Sequence, residues 1–170
     1  MPCARFHAST YAPQPVHRLL VALHSAARLV RVYSQNLDGL ELLAGLPRDA
    51  LRCMHGSMPG AESMALDDAS LSVLVGTSIR FFDDDVHDSL ADLAADMHAS
   101  SVLLVLGSSL KVAPARDIVS DFAGHRILVT NDASLPLPPR RGRAADELVS
   151  RAWAISVTWL IVCRQRMLLL

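Results

Sequence analysis

The chain has 170 residues, 51% of them apolar but only 5% aromatic, so it has the length of one domain with a core of Leu, Val and Ala. Sixteen Lys and Arg stand against 17 Asp and Glu, and the formal net charge of −1 excludes a broad electrostatic surface for direct nucleic-acid binding. Cys3, Cys53 and Cys163 are odd in number and form no Cys-x-x-Cys pair, which excludes a disulfide framework.

In chain order, residues 1–15 read as a loosely ordered lead-in. Arg5, His7, Gln14 and prolines interrupt it, so it lacks the apolar core of a signal peptide. Pro15 suits the first turn of a helix, where its missing N–H costs nothing. Val16, Leu19, Leu20 and Leu23 then recur at helical spacing. Leu29 to Tyr33 is an apolar strand that spills into the polar stretch Ser34-Gln35-Asn36-Leu37-Asp38-Gly39. A short helix is expected over Leu40–Leu43, ending near Gly45 and Pro47. Cys53-Met54-His55-Gly56-Ser57 is a compact segment without helical period, and Met58 to Ser70 reads as a loop.

Leu71–Val75 and Ile79–Phe82 are short apolar runs consistent with strands. Asp83, Asp84 and Asp85 precede Val86, Leu90, Leu93 and Met97, an amphipathic helix whose acidic start suits the positive helix end. Val102–Leu106 is continuous and apolar, as expected of a parallel strand covered on both faces. Gly107-Ser108-Ser109 ends it. Pro114 opens a helix through Ile118, Val119 and Phe122, with Gly124 as its expected terminator. Arg126–Thr130 is the next strand, ending at Asn131-Asp132. Asp146 and Glu147 are expected to start a last helix through Leu148, Val149, Ala152 and Trp153. Arg140, Arg141 and Arg143, beside Pro136, Pro138 and Pro139, read as a solvated loop, with a localisation signal as the other reading. Ala154–Cys163 falls short of the ~20 residues that span a bilayer, so no membrane association is expected. An intracellular protein follows, with nuclear, cytoplasmic and mitochondrial placement all open.

Helices alternating with strands predict an α/β fold: a Rossmann-like, mostly parallel sheet with helices on both faces. In such sheets ligands bind outside the carboxyl ends of the strands. The polar stretches Gln35–Asp38, Gly107–Ser109 and Asn131–Asp132 all follow predicted strands and are expected to meet at one edge.

Taken singly, Gln35, Asn36 and Asp38 suit the capping of a turn, and His55 an ordinary surface or core position. Their order with later motifs adds a second reading. Tyr33-Ser34-Gln35-Asn36-Leu37-Asp38-Gly39-Leu40-Glu41 resembles the Tyr-Thr-Gln-Asn-Ile-Asp-Gly-Leu-Glu signature of sirtuins, the NAD-dependent protein-lysine deacylases. His55-Gly56, Phe81-Phe82-Asp83-Asp84, Gly107-Ser108-Ser109-Leu110-Lys111-Val112 and Asn131 follow in the order of that family's His-Gly, Phe-Phe-Gly-Glu, Gly-Thr-Ser-Leu-x-Val and strand-end Asn. The similarity runs over about residues 11 to 150.

The resemblance implies NAD as cosubstrate and an acylated-lysine protein, histones among them, as substrate. Asn36 and Asp38 would line the nicotinamide pocket, with Gln35 beside the nicotinamide ribose. His55 would be the general base toward a ribose hydroxyl, a task for which an imidazole suits near-neutral pH. Gly107, Ser108 and Ser109 would contact phosphate and ribose oxygens, and Asn131 the adenosine ribose. Phe81, Phe82 and Val112 would shape the sites for cofactor and acyl-lysine.

Two departures qualify the pattern. The chain contains no Gly-x-Gly, so the family's glycine-rich phosphate loop and first β-α unit are expected to be missing and the fold truncated. An in-frame Gly-Ala-Gly-x-Ser stretch upstream of Met1 in the genome would mark the chain as a truncated form of an ordinary enzyme. The interval from Ser57 to Arg80 contains no cysteine, so neither zinc nor the family's zinc subdomain is expected. His7, His17, His24, His87, His98 and His125 are scattered without a ligand pattern. The expected organisation is therefore a lead-in over 1–15, an incomplete NAD-binding domain over 16–153 and an apolar tail over 154–170 that packs on a partner or reflects an altered gene end. The alternative to a deacylase is a degenerate fragment that binds a nucleotide weakly, or serves as an interaction module, without catalysis.

Overall fold

Pro15 stands at the first position of helix α1 (Pro15–Ser25), and the ring of His17 accepts the Gln14 N–H through Nδ1 at 3.0 Å, closing the helix start. We describe a computed structural model over residues 12–56, 90–111, 113–130, 138–139, 146–150 and 159–163. After α1 come strand β1 (Leu29–Ser34), the short helix α2 (Leu40–Leu43), a 3-10 turn (Arg48–Ala50) and strand β2 (Leu51–Cys53). Helix α3 (Leu93–His98), strand β3 (Val102–Leu106), helix α4 (Ala115–Asp121) and strands β4 (His125–Thr130), β5 (Asp146–Ser150) and β6 (Trp159–Cys163) complete the described elements.

The strands form one six-stranded sheet in the order β2-β1-β6-β3-β4-β5. β1 pairs with β2 in parallel, and so do β3 with β4 and β4 with β5. β6 lies between β1 and β3 and runs antiparallel to both. The carboxyl ends of β1, β2, β3, β4 and β5 therefore share one edge, and β6 enters the sheet there, with Trp159 paired to Ser34 and to Leu106.

Alternation along the strands divides the apolar residues between two faces, the period-two consequence of the pleat. Val32, Leu106 and Ile161 pack with Leu20 of α1, Leu46 and Leu51 on one face. Tyr33, Leu103, Val105 and Leu128 pack with Ile118 and Val119 of α4 on the other, and Leu93 and Met97 of α3 close over them. A sheet covered on both faces explains why β3 reads as an unbroken apolar run. Each fully buried Leu or Val contributes about 1.5–3 kcal/mol relative to leaving it in water.

Polar bonds fasten α3 to the sheet. Tyr33 donates its hydroxyl to Asp96 Oδ2 at 2.8 Å, and Arg31 pairs with the same carboxylate. Arg52 holds Asp92 through Nε at 3.0 Å. The Asp96 hydrogen bond raises the Arg31 pKa, and burial raises that of the Tyr33 hydroxyl. The fully buried Arg126 donates to the carbonyls of Val119 at 2.9 Å and Pro138 at 3.1 Å.

The α/β architecture and the elements α1, β1, α2, β3, α4 and β4 agree with the sequence reading, and four points differ. Asp146–Ser150 is strand β5, not the start of a helix: its acidic start and apolar spacing suit a helix, but backbone pairing with β4 takes precedence. Trp159–Cys163, in the stretch read as an apolar tail, is a central strand. Leu51–Cys53 is β2, so Cys53, read as the start of a compact segment without helical period, closes a strand that was not expected. Gly124 does not terminate α4, which ends at Asp121 before an extended Phe122; a Cβ on Gly124 would lie 2.5 Å from the Ser101 carbonyl, so close packing requires the glycine. The expected strands at 71–75 and 79–82, the helix start at 86–89 and the arginines at 140–143 lie outside the described residues. Among the described residues no helix is long and apolar enough to cross a membrane.

Candidate functional site

β1 ends at Ser34, which is fully buried, and its hydroxyl organises the turn that follows. Ser34 Oγ donates to Glu41 Oε1 at 2.6 Å and accepts the Asn36 backbone N–H at 3.1 Å. A hydroxyl has one proton and two lone pairs, so committing the proton to a carboxylate leaves the lone pairs for the amide. At the other end of the turn Gly39, at φ 64, bends the chain into α2. Asp38 Oδ1 accepts the Leu40 N–H there at 3.1 Å. Gln35, Asn36 and Asp38 are half-buried between these two fastenings.

β3 ends in a turn built the same way. Gly107, at φ 67, donates its N–H to the Val129 carbonyl at 3.0 Å. The Ser108 hydroxyl is buried and accepts the Leu110 N–H at 3.2 Å. It also donates to Gln35 Oε1, at 3.5 Å. Leu110 is buried at φ 51, a left-handed conformation that costs a non-glycine residue about 1–2 kcal/mol. Ser109 and Lys111 are exposed.

β2 brings in the histidine. The Met54 N–H donates to the Ser34 carbonyl at 2.8 Å, which continues the β1–β2 ladder past Cys53. His55 follows, half-buried, and Gly56 turns the chain at φ 78 with its N–H on the Cys53 carbonyl at 3.3 Å. His55 therefore stands at the carboxyl edge, next in space to the Ser34 turn.

Of the residues singled out in the sequence, Gln35, Asn36, Asp38, His55, Gly107, Ser108 and Ser109 lie at the carboxyl ends of β1, β2 and β3. Gln35 and Ser108, far apart in the chain, are brought into contact. Phe81, Phe82, Val112 and Asn131 lie outside the described residues. Sequence reasoning gave Glu41 no role, although its 1% exposure marks it as a buried carboxylate bonded to the turn. Its place inside the polar signature was the available signal.

Zinc finds no fit among the described residues. Cys53 pairs with Ser34 and Cys163 with Leu29, at opposite ends of β1. No three His, Cys, Asp or Glu side chains converge to hold a metal ion among the described residues.

Comparison with known proteins agrees with this architecture. A model of the Sir2 family matches residues 3–71. The chain is 32% identical over 154 residues to the NAD-dependent protein deacetylase sirtuin-3 of Mus musculus, covering 77% of this chain and 46% of that protein. It is 28% identical over 167 residues to the NAD-dependent protein deacetylase SRT1 of Oryza sativa subsp. indica, covering 84% and 35%. Thus it spans less than half the length of these relatives. Among solved structures, Sir2Tm bound to a propionylated peptide superposes with a TM-score of 0.63 at 18% identity, covering 89% of this chain and 70% of that one. A Sir2 complex with p53 peptide and NAD+ gives 0.61 at 20% identity, covering 81% and 66%. In sequence the chain is similar to the Sir2 family over residues 3–71 and to NAD-dependent protein deacetylases at moderate identity, and its fold is that of the Sir2 structures.

Proposed function

We propose that the chain carries the cosubstrate-binding edge of an NAD-dependent protein-lysine deacylase, which moves an acyl group from lysine to ADP-ribose with release of nicotinamide. The observation that carries this reading is the contact between Ser108 and Gln35, which joins the β1 and β3 turns at the edge where His55 also stands. The donor set fits the nicotinamide half of NAD. Neutral amides at Gln35 and Asn36 and the carboxylate of Asp38 match a carboxamide and ribose hydroxyls. In the β3 turn the N–H groups of Gly107 and Leu110 are engaged within the protein, so among the described residues those of Ser108 and Ser109 serve a phosphate oxygen.

NAD supplies a ribose carbon whose bond to nicotinamide can be exchanged for a bond to the acyl oxygen of the substrate. Asn36 and Asp38 orient the carboxamide, and Gln35 holds the adjoining ribose. His55 accepts a proton from a ribose hydroxyl. Gly107, Ser108, Ser109 and Asn131 bind the ADP portion, while Phe81, Phe82 and Val112 shape the acyl-lysine side. The protein substrate is an acylated-lysine segment in an intracellular compartment.

Incubation with acetyl-lysine peptide and NAD is expected to release nicotinamide, and His55→Ala to abolish the release. Equal release by the two proteins would sink the assignment. A second reading, nucleotide binding without turnover, is favoured by β6, whose Trp159 backbone is inserted between Ser34 and Leu106, the last strand residues before the two turns. Calorimetric binding of NAD or ADP-ribose with no nicotinamide release would select that reading. The family resemblance would then report ancestry alone.

A further inference from the structure

We infer that Glu41 is a positioning residue for the nicotinamide site, acting through the Ser34 hydroxyl on the backbone of Asn36. The inference rests on the assignment of Asn36 and Asp38 to nicotinamide. Glu41 and Ser34 are 1% and 0% exposed, and their hydrogen bond of 2.6 Å is a short, charge-assisted one. Because the carboxylate only accepts, the Ser34 proton has one direction, and the oxygen lone pairs face the Asn36 N–H at 3.1 Å. That amide is the first backbone group of the turn to be fixed by a side chain, and it sets where the Asn36 and Asp38 side chains begin. Asp38 is held separately through Leu40, on the helix that carries Glu41 itself. Glu41 thus couples both ends of the turn without lying on the nicotinamide side.

The β3 turn supplies an internal control. Ser108 accepts the Leu110 N–H in the same i to i+2 pattern, but its hydroxyl has an amide oxygen at 3.5 Å as acceptor and no part in the Glu41 bond. Removing the Glu41 carboxylate should therefore free the Asn36 amide and leave the Leu110 amide alone.

The test uses the full chain with Glu41→Met, which keeps length and burial, and Glu41→Gln, which keeps an acceptor. Amide hydrogen exchange without ligand is expected to speed up about tenfold at Asn36 in Glu41→Met, to stay unchanged at Leu110, and to be largely restored in Glu41→Gln. Calorimetry is expected to show NAD weakened about tenfold in Glu41→Met while ADP-ribose, which lacks nicotinamide, stays within about twofold. Unchanged exchange at Asn36, or equal losses for NAD and ADP-ribose, would overturn the positioning role. If the unmodified chain binds neither compound, the assignment of function fails, and the exchange result still decides whether Glu41 orders the turn. Should Glu41→Met not fold, Ser34→Cys, whose thiol is a weak donor, is read by the same two measurements.

Discussion

The turns after β1 and β3 share a design and differ in how firmly it is fastened. Each places a buried serine at the mouth of the sheet, each lets that hydroxyl hold the amide two residues on, and each uses a glycine near φ 65. The Ser34 proton goes to a buried carboxylate at 2.6 Å, whereas the Ser108 proton reaches toward the half-buried amide of Gln35 at 3.5 Å. The first turn is preset by its own core. In the second the serine proton goes to the first turn by a long bond, so a ligand between them can take up the Ser108 hydroxyl at little cost. A site that must grip one group in a fixed orientation and accept a larger one beside it benefits from that asymmetry.

The contrast can be broken most forcefully at Ser34. Ser34→Ala removes a donor from a buried carboxylate and is expected to cost about 2–3 kcal/mol, read as a lowered urea midpoint at unchanged slope. Ser34→Thr, which keeps the hydroxyl, should recover most of it. Next in size is an alkaline loss from β6, the strand between the two turns. Burial pushes the Cys163 thiol from 9.0 to about 11. A raised folded value favours the native state below the unfolded value, so this contribution is present below pH 9.0 and is lost as pH rises toward about 11. The loss is on the order of 2 kcal/mol, and Cys163→Ala should flatten the pH dependence of the urea midpoint in that window.

Gly39→Ala and Gly107→Ala sharpen the comparison by testing what the turns share. Both glycines sit in the left-handed region, and each substitution is expected to cost about 1 kcal/mol by thermal unfolding. Equal costs would place the asymmetry in the hydroxyls and not in the backbones. The smallest effect belongs to Ser108→Ala, about 1 kcal/mol in the ligand-free protein, because the bond from the Leu110 N–H and a long bond to a neutral, half-buried amide are given up but no buried carboxylate loses its donor. A larger loss at Ser108 than at Ser34 would reverse the ordering of the two turns.

Much of this molecule is legible in its sequence because its signals are local. The periodicity of Val16 to Leu23, the apolar run Val102–Leu106 and the small or polar residues after each strand reveal elements and their polar edge without reference to distant partners. β5 is less accessible: Asp146-Glu147-Leu148-Val149 satisfies helical spacing, and only the open edge of β4 makes it a strand. β6 shows its apolar character but not its address, since an antiparallel place between β1 and β3 depends on residues far away in the chain. Glu41 poses the same difficulty at short range. A glutamate in the first turn of a helix ordinarily faces water, and nothing local announces that Ser34 lies beneath it.

The place of β6 also sets the order in which the molecule can be assembled. Among the described strands, β1–β2 and β3–β4–β5 have no direct pairing with each other, and residues 159–163 are the only strand that touches both. During synthesis the two ribbons must wait for the last of the six strands, each with a hydrogen-bonding edge open. Such delayed, long-range pairing slows folding and exposes those edges to other chains. A nascent chain arrested before residue 159 should thus hold two half-sheets and depend on a chaperone that shields strand edges, and only the release of β6 would bring the Ser34 and Ser108 turns into one site.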